Sequence, residues 1–235
     1  MRILTISLVI GMLSQFNGHP VVEHLLFNIE GHGEMPYALS VPSNYSSDQP
    51  RPLVLVLHPG GARGSYYGSV SMRQLFEPAL RDWGAIIVAP DAPTRSWATE
   101  LSDRAVMGLL GEIINQYSID RTRILVTGFS LGGRGTWFFA TRHSDFFTAA
   151  IPIAGSPGTI ATAAIGDMPI HIVHSRIDDV VSFEPAAKAA EDLSRTGHLV
   201  NLSALENVGH YEMAGYLKAL REAGDWVREQ WDSRE

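Results

Sequence analysis

Ser130 is the residue of this chain whose surroundings suit a nucleophile. It lies in Gly128-Phe129-Ser130-Leu131-Gly132, between an apolar run that starts at Leu125 and a segment with helical spacing. A serine at such a strand–turn–helix junction occupies the apex of a tight turn, where flanking glycines avoid clashes with the strand and the helix. Its hydroxyl could attack a carbonyl carbon if a base removes the proton. An ordinary glycine-serine loop is the alternative.

An aspartate and a histidine that follow two later strands could complete a catalytic triad. Asp178 comes after the predicted strand at 170–175, and His210 comes after the last predicted strand, at 199–205. Parallel strands carry their functional residues at their carboxyl ends, so both side chains are expected beside Ser130. The imidazole would then remove the serine proton while the carboxylate orients the ring.

Other histidines and a second aspartate compete for these roles. His171 lies inside a predicted buried strand and His198 in a turn at the opposite edge, which leaves His174, at a strand end, as the rival base. Asp179 is the rival of Asp178 for the acid. Either aspartate could also belong to an Asx-turn without any catalytic role.

Acyl transfer also requires donors for the oxygen that becomes negative. The sequence His58-Pro59-Gly60-Gly61 directly follows the apolar strand at 53–57, and its glycine amides carry no side chain that would block a substrate. The amide of Leu131, after the nucleophile, would be the second donor. We therefore expect Gly60, Gly61 and Leu131 to form an oxyanion hole, with a simple turn as the alternative.

The composition is that of a globular protein and excludes several classes of function. Of the 235 residues, 45% are hydrophobic and 18% are charged, and the net charge is -7. This acidic balance, without a basic cluster, argues against nucleic acid as a partner. The chain has no cysteine, which excludes disulfides, thiolate metal sites and cysteine catalysis.

The N-terminal residues resemble a secretory signal. Met1 and Arg2 precede an apolar stretch, residues 3–13, which is too short to span a bilayer. Residues 14–18 lack a small-x-small cleavage site, so an extra N-terminal strand is the alternative for residues 1–20. The pattern favours secretion or a periplasmic location over the cytoplasm. Residues 21–235 are predicted to form a single domain.

Eight predicted strands alternate with helices. The unbroken apolar run at 53–57 predicts a strand buried on both faces, and apolar residues three and four apart between 106 and 117 predict a helix. This alternation predicts a mostly parallel sheet flanked by helices. Gly31-His32-Gly33 predicts an initial antiparallel hairpin. Capping-box spacing predicts that the helix before Gly84 begins at Ser71.

Over nearly its whole length the sequence resembles the α/β-hydrolase superfamily, in which serine, acid and histidine follow one another in this order. The stretch 120–137 is similar to the elbow of the group that includes dienelactone hydrolases, phospholipase/carboxylesterases and feruloyl-esterase-like enzymes. The stretch 174–181 resembles the acid loop of this group, although Ser175 replaces a usual glycine and Ser182 a frequent proline. Dienelactone hydrolases proper use cysteine, so Ser130 places the chain nearer to ordinary esterases.

The resemblance implies a serine carboxylesterase that hydrolyses small or short-chain esters through an acyl-enzyme. It assigns the nucleophile to Ser130, the base to His210 and the acid to Asp178, and it implies neither a metal nor an organic cofactor. The expected partner is a small-molecule ester. Alternatives are a feruloyl or acetylxylan-type esterase acting on plant polymers, a serine peptidase, and a binding module on a hydrolase scaffold. The sequence carries no signal for the oligomeric state.

The segment between the predicted strands at 149–154 and 170–175 is too short for a helical cap. A shallow, open site is therefore expected, and it disfavours long acyl chains, whose recognition requires extended apolar burial at about 0.8 kcal/mol per CH₂. Trp97, Pro157 and Tyr211 lie in loops near the active edge and are candidate pocket residues. Packing in the core is the alternative for Trp97.

Overall fold

One eight-stranded sheet organises the computed structural model, which describes residues 20–61 and 64–234. The strands are β1 (Val21–Ile29), β2 (Gly33–Val41), β3 (Arg51–Leu57), β4 (Ile86–Pro90), β5 (Ile119–Phe129), β6 (Ala149–Ile153), β7 (Ile170–Ser175) and β8 (Val200–Leu205). Their spatial order is β1-β2-β4-β3-β5-β6-β7-β8. The hairpin β1–β2 and the β2–β4 pair are antiparallel, and all other pairs are parallel. The predicted mostly parallel sheet is confirmed.

Helices cover both faces of the sheet. Within the described residues the α-helices are α1 (Tyr67–Ser71), α2 (Glu77–Leu80), α3 (Glu100–Gln116), α4 (Leu131–Arg142), α5 (Glu184–Arg195) and α6 (Leu217–Asp232). A π-helical turn joins α1 to α2, and short 3₁₀ turns precede β4 and α6. Side chains of β3 alternate between two cores: Leu55 belongs to the core that contains residues of α3, α4 and α5, and Val56 belongs to the core that contains residues of the π-helical turn, α2 and α6. This two-sided burial explains the unbroken apolar run of β3.

No large cap covers the carboxyl edge of the sheet within the described residues. Between β6 and β7, the only helical element there is the 3₁₀ turn Thr162–Ile165. The functional edge therefore stays open, as the short connection predicts.

The predicted start of the first helix at Ser71 is wrong. The helix begins at Tyr67, and Ser71 lies inside the helical segment without capping it through its side chain. The carboxylate of Asp91 caps the helix instead, because it accepts hydrogen bonds from the backbone N–H groups of Tyr66 (2.6 Å) and Gly68 (2.8 Å). This cap comes from the loop after β4, so no local spacing could reveal it.

Residues 1–19 of the predicted signal-like segment, residues 1–20, lie outside the described residues, and export stays a prediction. Among the residues that the structure describes, no helix is long and apolar enough to cross a membrane.

Candidate active site

Ser130 occupies the sharp turn between β5 and α4. Its backbone has φ 57° and ψ -113°, a conformation that residues with a side chain rarely adopt. The neighbouring glycines make the turn feasible. A Cβ at Gly128 would lie 2.5 Å from the carbonyl oxygen of Gly132, and a Cβ at Gly132 would lie 1.9 Å from the carbonyl oxygen of Leu57. The Gly-x-Ser-x-Gly spacing is therefore a steric requirement of the turn.

We expect Gly132→Ala to lower the free energy of unfolding by about 3 kcal/mol or more, because its methyl group would collide with fixed backbone of β3. Gly111→Ala is the matched control, since Gly111 lies in α3 with open space around its Cβ position. Gly111→Ala should raise the free energy of unfolding by about 0.5–1 kcal/mol. Urea unfolding of both variants measures the difference, and equal effects would show that the elbow tolerates a side chain.

Three side chains from different loops meet at this turn. The Oγ of Ser130 lies 2.8 Å from Nε2 of His210, and Nδ1 of His210 lies 2.7 Å from Oδ2 of Asp178. The side chain of Asp178 is fully buried and that of His210 nearly so. An ionised carboxylate only accepts hydrogen bonds, so Nδ1 of His210 carries the proton and Nε2 accepts the bond from the Ser130 hydroxyl. This arrangement can transfer the serine proton to the ring.

Asp178 is held as an ionised carboxylate. Its Oδ1 accepts the backbone N–H groups of Val180 (3.0 Å) and Val181 (2.8 Å). Burial alone would raise the pKa of Asp178, but the hydrogen bonds from His210, Val181 and Val180 outweigh it and hold the pKa below its usual value. Asp179 is exposed to solvent. The structure therefore brings Asp178, rather than Asp179, to the histidine.

The rival histidines make their hydrogen bonds with residues other than Ser130. Nε2 of His174 contacts the carbonyl oxygen of Val181 at 2.9 Å and Oδ2 of Asp178 at 3.4 Å, so this ring lies against the acid. His171 is buried and pairs with Ser203, and His198 contacts Thr196 before β8 begins. Of these histidines, His210 alone contacts the nucleophile in the part of the chain that the structure describes.

His58 fixes the loop that follows β3. The backbone N–H of Ala92 donates to its Nε2 (2.9 Å), so Nδ1 carries the proton and donates to the carbonyl oxygen of Pro59 (2.7 Å). The Pro59–Gly60 peptide is trans, so its N–H points opposite to its C=O, away from the His58 ring. Gly60 also adjoins α4, because a Cβ there would lie 3.7 Å from Cβ of Leu131.

An open cavity of about 380 Å³ adjoins Ser130. Its lining consists of Pro59, Gly60, Gly61, Tyr67, Phe129, Ser130, Val180, His210, Tyr211 and Met213. The lining contains both glycines predicted for the oxyanion hole. The backbone amide of Leu131 is the first of α4, and such amides have no acceptor within their own helix.

One of the three predicted pocket residues lines this cavity. Tyr211 is 83% exposed and stands at its rim, whereas Pro157 is buried and does not line it. Trp97 does not line the cavity, and the alternative of packing in the core applies to it: its side chain is 1% exposed, and its indole N–H donates to the carbonyl oxygen of His58 at 3.0 Å. The indole is accommodated because Gly135 leaves room for it, since a Cβ there would lie 2.7 Å from Cβ of Trp97.

Sequence reasoning missed Tyr67, Val180 and Met213 as cavity residues. Tyr67 is the first residue of α1, the helix that Asp91 caps from another loop. Val180 was within reach of prediction, since it lies two residues after the candidate acid. Met213 follows the candidate base by three residues, in the 3₁₀ turn before α6.

The described residues contain no cluster of histidine, aspartate and glutamate side chains that could hold a metal ion.

Comparisons with known proteins show that the chain is similar to proteins named as esterases. The model of the dienelactone hydrolase family matches residues 89–218, more than half of the chain. A probable feruloyl esterase C of Aspergillus flavus is 30% identical over 154 residues, which cover 63% of this chain and 56% of that protein. Acetylxylan esterase A of Emericella nidulans is 26% identical over 133 residues, which cover 52% of this chain and 42% of that protein. The chain thus spans about half the length of these curated relatives.

A solved structure supports the same relationship. The crystal structure of a thermostable esterase matches with a TM-score of 0.75 and 28% identity, over 88% of this chain and 62% of that chain. The predicted α/β-hydrolase fold, without a large cap, is confirmed.

Proposed function

The chain belongs to the dienelactone hydrolase family, and from this membership and its site geometry we propose that it is a serine carboxylic ester hydrolase. The observation that carries the proposal is the continuous contact from Ser130 through His210 to Asp178, at 2.8 and 2.7 Å. This geometry meets the requirement for an activated serine: a base within hydrogen-bond reach and a carboxylate that orients the base.

The proposed mechanism proceeds through an acyl-enzyme. His210 removes the hydroxyl proton as Ser130 attacks the ester carbonyl, and it returns that proton to the leaving alcohol. Asp178, kept ionised by its hydrogen bonds, stabilises the imidazolium that forms. Water then attacks the acyl group with His210 again as base, the bond between the acyl carbon and Oγ of Ser130 breaks to release the carboxylic acid, and His210 returns the proton to Oγ.

The oxyanion would be stabilised by backbone amides. We assign this role to the N–H groups of Leu131 and of Gly60 or Gly61, which flank Ser130 from two loops. The N–H of Leu131 is fixed by α4, and the Pro59–Gly60 peptide, which carries the N–H of Gly60, is fixed by His58, so these two donors need not reorganise during the reaction.

We propose small esters, or acyl groups on a polymer, as the substrates. The cavity is open, has a volume of about 380 Å³, and has the exposed apolar side chains of Val180 and Tyr211 at its rim. Two similar proteins are named feruloyl and acetylxylan esterases, which makes acyl groups on plant polymers the second candidate. An uncapped edge leaves room for a polymer but gives little apolar burial to a long acyl chain.

We expect the rate of p-nitrophenyl ester hydrolysis to be highest for acetate to butyrate and to fall toward palmitate, because the cavity cannot bury a long chain. The series should be measured as kcat/KM, together with methyl ferulate and acetylated xylan. Turnover of these two substrates would favour an esterase that acts on plant polymers over a general carboxylesterase.

Ser130→Ala is the control for every substrate in the series, since residual turnover in this variant reports contaminating esterases. A maximum of kcat/KM at palmitate would contradict the proposal that the open cavity cannot bury a long acyl chain. Cleavage of peptide substrates without ester hydrolysis would favour a peptidase. Absence of turnover on every substrate would favour a binding module.

A further inference from the structure

His174 is a buried histidine that the proposed mechanism does not use. It lies at the carboxyl end of β7, and its side chain has no solvent exposure. Its Nε2 lies 2.9 Å from the carbonyl oxygen of Val181 and 3.4 Å from Oδ2 of Asp178. Because a carbonyl oxygen can only accept a hydrogen bond, Nε2 carries the ring proton and donates a hydrogen bond to the carbonyl oxygen of Val181. Nδ1 is then unprotonated, and it is buried without a hydrogen-bond partner.

This hydrogen bond closes the loop that carries Asp178. The loop leaves β7 after Ser175, and Val181 returns to the strand end through the His174 contact. Within the loop, the N–H of Val181 donates to Oδ1 of Asp178, so Val181 is fixed through both its carbonyl and its amide. The two contacts connect the imidazole of His174 to the carboxylate through a single residue.

We propose that His174 is a positioning residue that holds the Asp178 loop closed through Val181 and thereby keeps the carboxylate on Nδ1 of His210. This inference rests on the proposed esterase function and adds His174 to the residues that serve the site. The role requires a neutral ring, because an imidazolium beside Asp178 would compete with His210 for the carboxylate.

The environment of His174 favours the neutral ring. Burial lowers the pKa of His174, although the Val181 carbonyl and Asp178 act in the opposite direction, and His210 adds to the lowering. The charged or titratable groups around it are Asp178, His210 and Glu184. The ring also packs edge-on against Phe183, at 5.9 Å between centroids.

Two carboxamide variants test the role. In His174→Gln, the side-chain N–H can reach the position of Nε2, whereas the side chain of His174→Asn is one CH₂ shorter and cannot reach Val181. We expect His174→Asn to lower kcat by about 10²-fold, the cost of a misplaced catalytic group, with little change in KM. His174→Gln should stay near the wild type. The acidic limb of the pH profile of His174→Asn should move to lower pH, because a displaced carboxylate stabilises the imidazolium less.

A spectroscopic readout separates this inference from the proposed function. The proton on Nδ1 of His210, shared with Asp178 at 2.7 Å, should give a low-field proton NMR signal that disappears in His210→Ala. The signal should persist in His174→Gln and be lost or shifted upfield in His174→Asn. This measurement needs no substrate, so it tests His174 even if the wild type hydrolyses no ester.

A wild-type measurement covers the case in which the buried substitutions prevent folding. Imidazole ¹⁵N shifts of His174 should report the neutral ring with the proton on Nε2 from pH 7 to 8. The inference is overturned if His174→Asn keeps both the wild-type signal and the wild-type kcat. It is equally overturned if His174 carries its proton on Nδ1 or is an imidazolium in this range.

Discussion

Ser130→Ala is expected to lower kcat for p-nitrophenyl acetate by about 10⁴- to 10⁶-fold. The substitution removes the atom that would form the acyl-enzyme and leaves Nε2 of His210 without its partner at 2.8 Å. The loss should appear in kcat, since no other described side chain occupies the apex of the elbow and could act as the nucleophile in place of Ser130. Steady-state kinetics on purified protein measures it.

The fold should survive this substitution. Alanine keeps the Cβ of serine, so the strained φ of 57° is no harder to adopt, and the glycines around the turn are untouched. Ser194→Ala, on the exposed face of α5, is the matched control and should retain full activity. Wild-type turnover in Ser130→Ala with an unchanged thermal unfolding curve would rule out Ser130 as the nucleophile.

Asp178→Asn should reduce kcat by about 10⁴-fold, as the loss of the carboxylate allows the wrong histidine tautomer. The side-chain amide can donate to Nδ1 of His210, which would then place the ring proton on Nε2, where it blocks removal of the serine proton. The hydrogen bonds of the loop amides to Oδ1 can remain, so the loss should be catalytic more than structural.

Asp179→Asn provides the comparison for this prediction, because the two aspartates are adjacent and only Asp178 contacts His210. We expect Asp179→Asn to keep activity close to the wild type. The reverse ranking would transfer the acid role to Asp179. Since the pKa of Asp178 lies below its usual value, its carboxylate stays ionised between pH 5 and 8, and any loss of activity in this range must come from another group.

The contact among Ser130, Asp178 and His210 could be predicted because it follows from sheet geometry. Each residue lies just beyond the carboxyl end of a parallel strand, and such ends meet at one edge whatever the loops between them. The elbow could be predicted for a local reason, since its glycines satisfy a steric requirement within five residues.

The parts that could not be predicted depend on contacts between distant loops. Asp91 caps α1 from 23 to 25 residues away, and Trp97 is buried because its indole N–H finds the carbonyl oxygen of His58, 39 residues earlier. The contact of His174 with the acid loop is local in sequence, but its direction depends on how the loop folds back. Spacing alone does not encode such contacts.

Labelling with a fluorophosphonate probe shows whether Ser130 is an activated nucleophile, because the reagent reacts with a serine only when a base activates it. We expect stoichiometric labelling of the wild type, located by peptide mass spectrometry at Ser130, and no labelling of Ser130→Ala or of wild type that was unfolded before treatment. Folded wild-type protein that stays unlabelled, or that is labelled at another residue, would contradict the account.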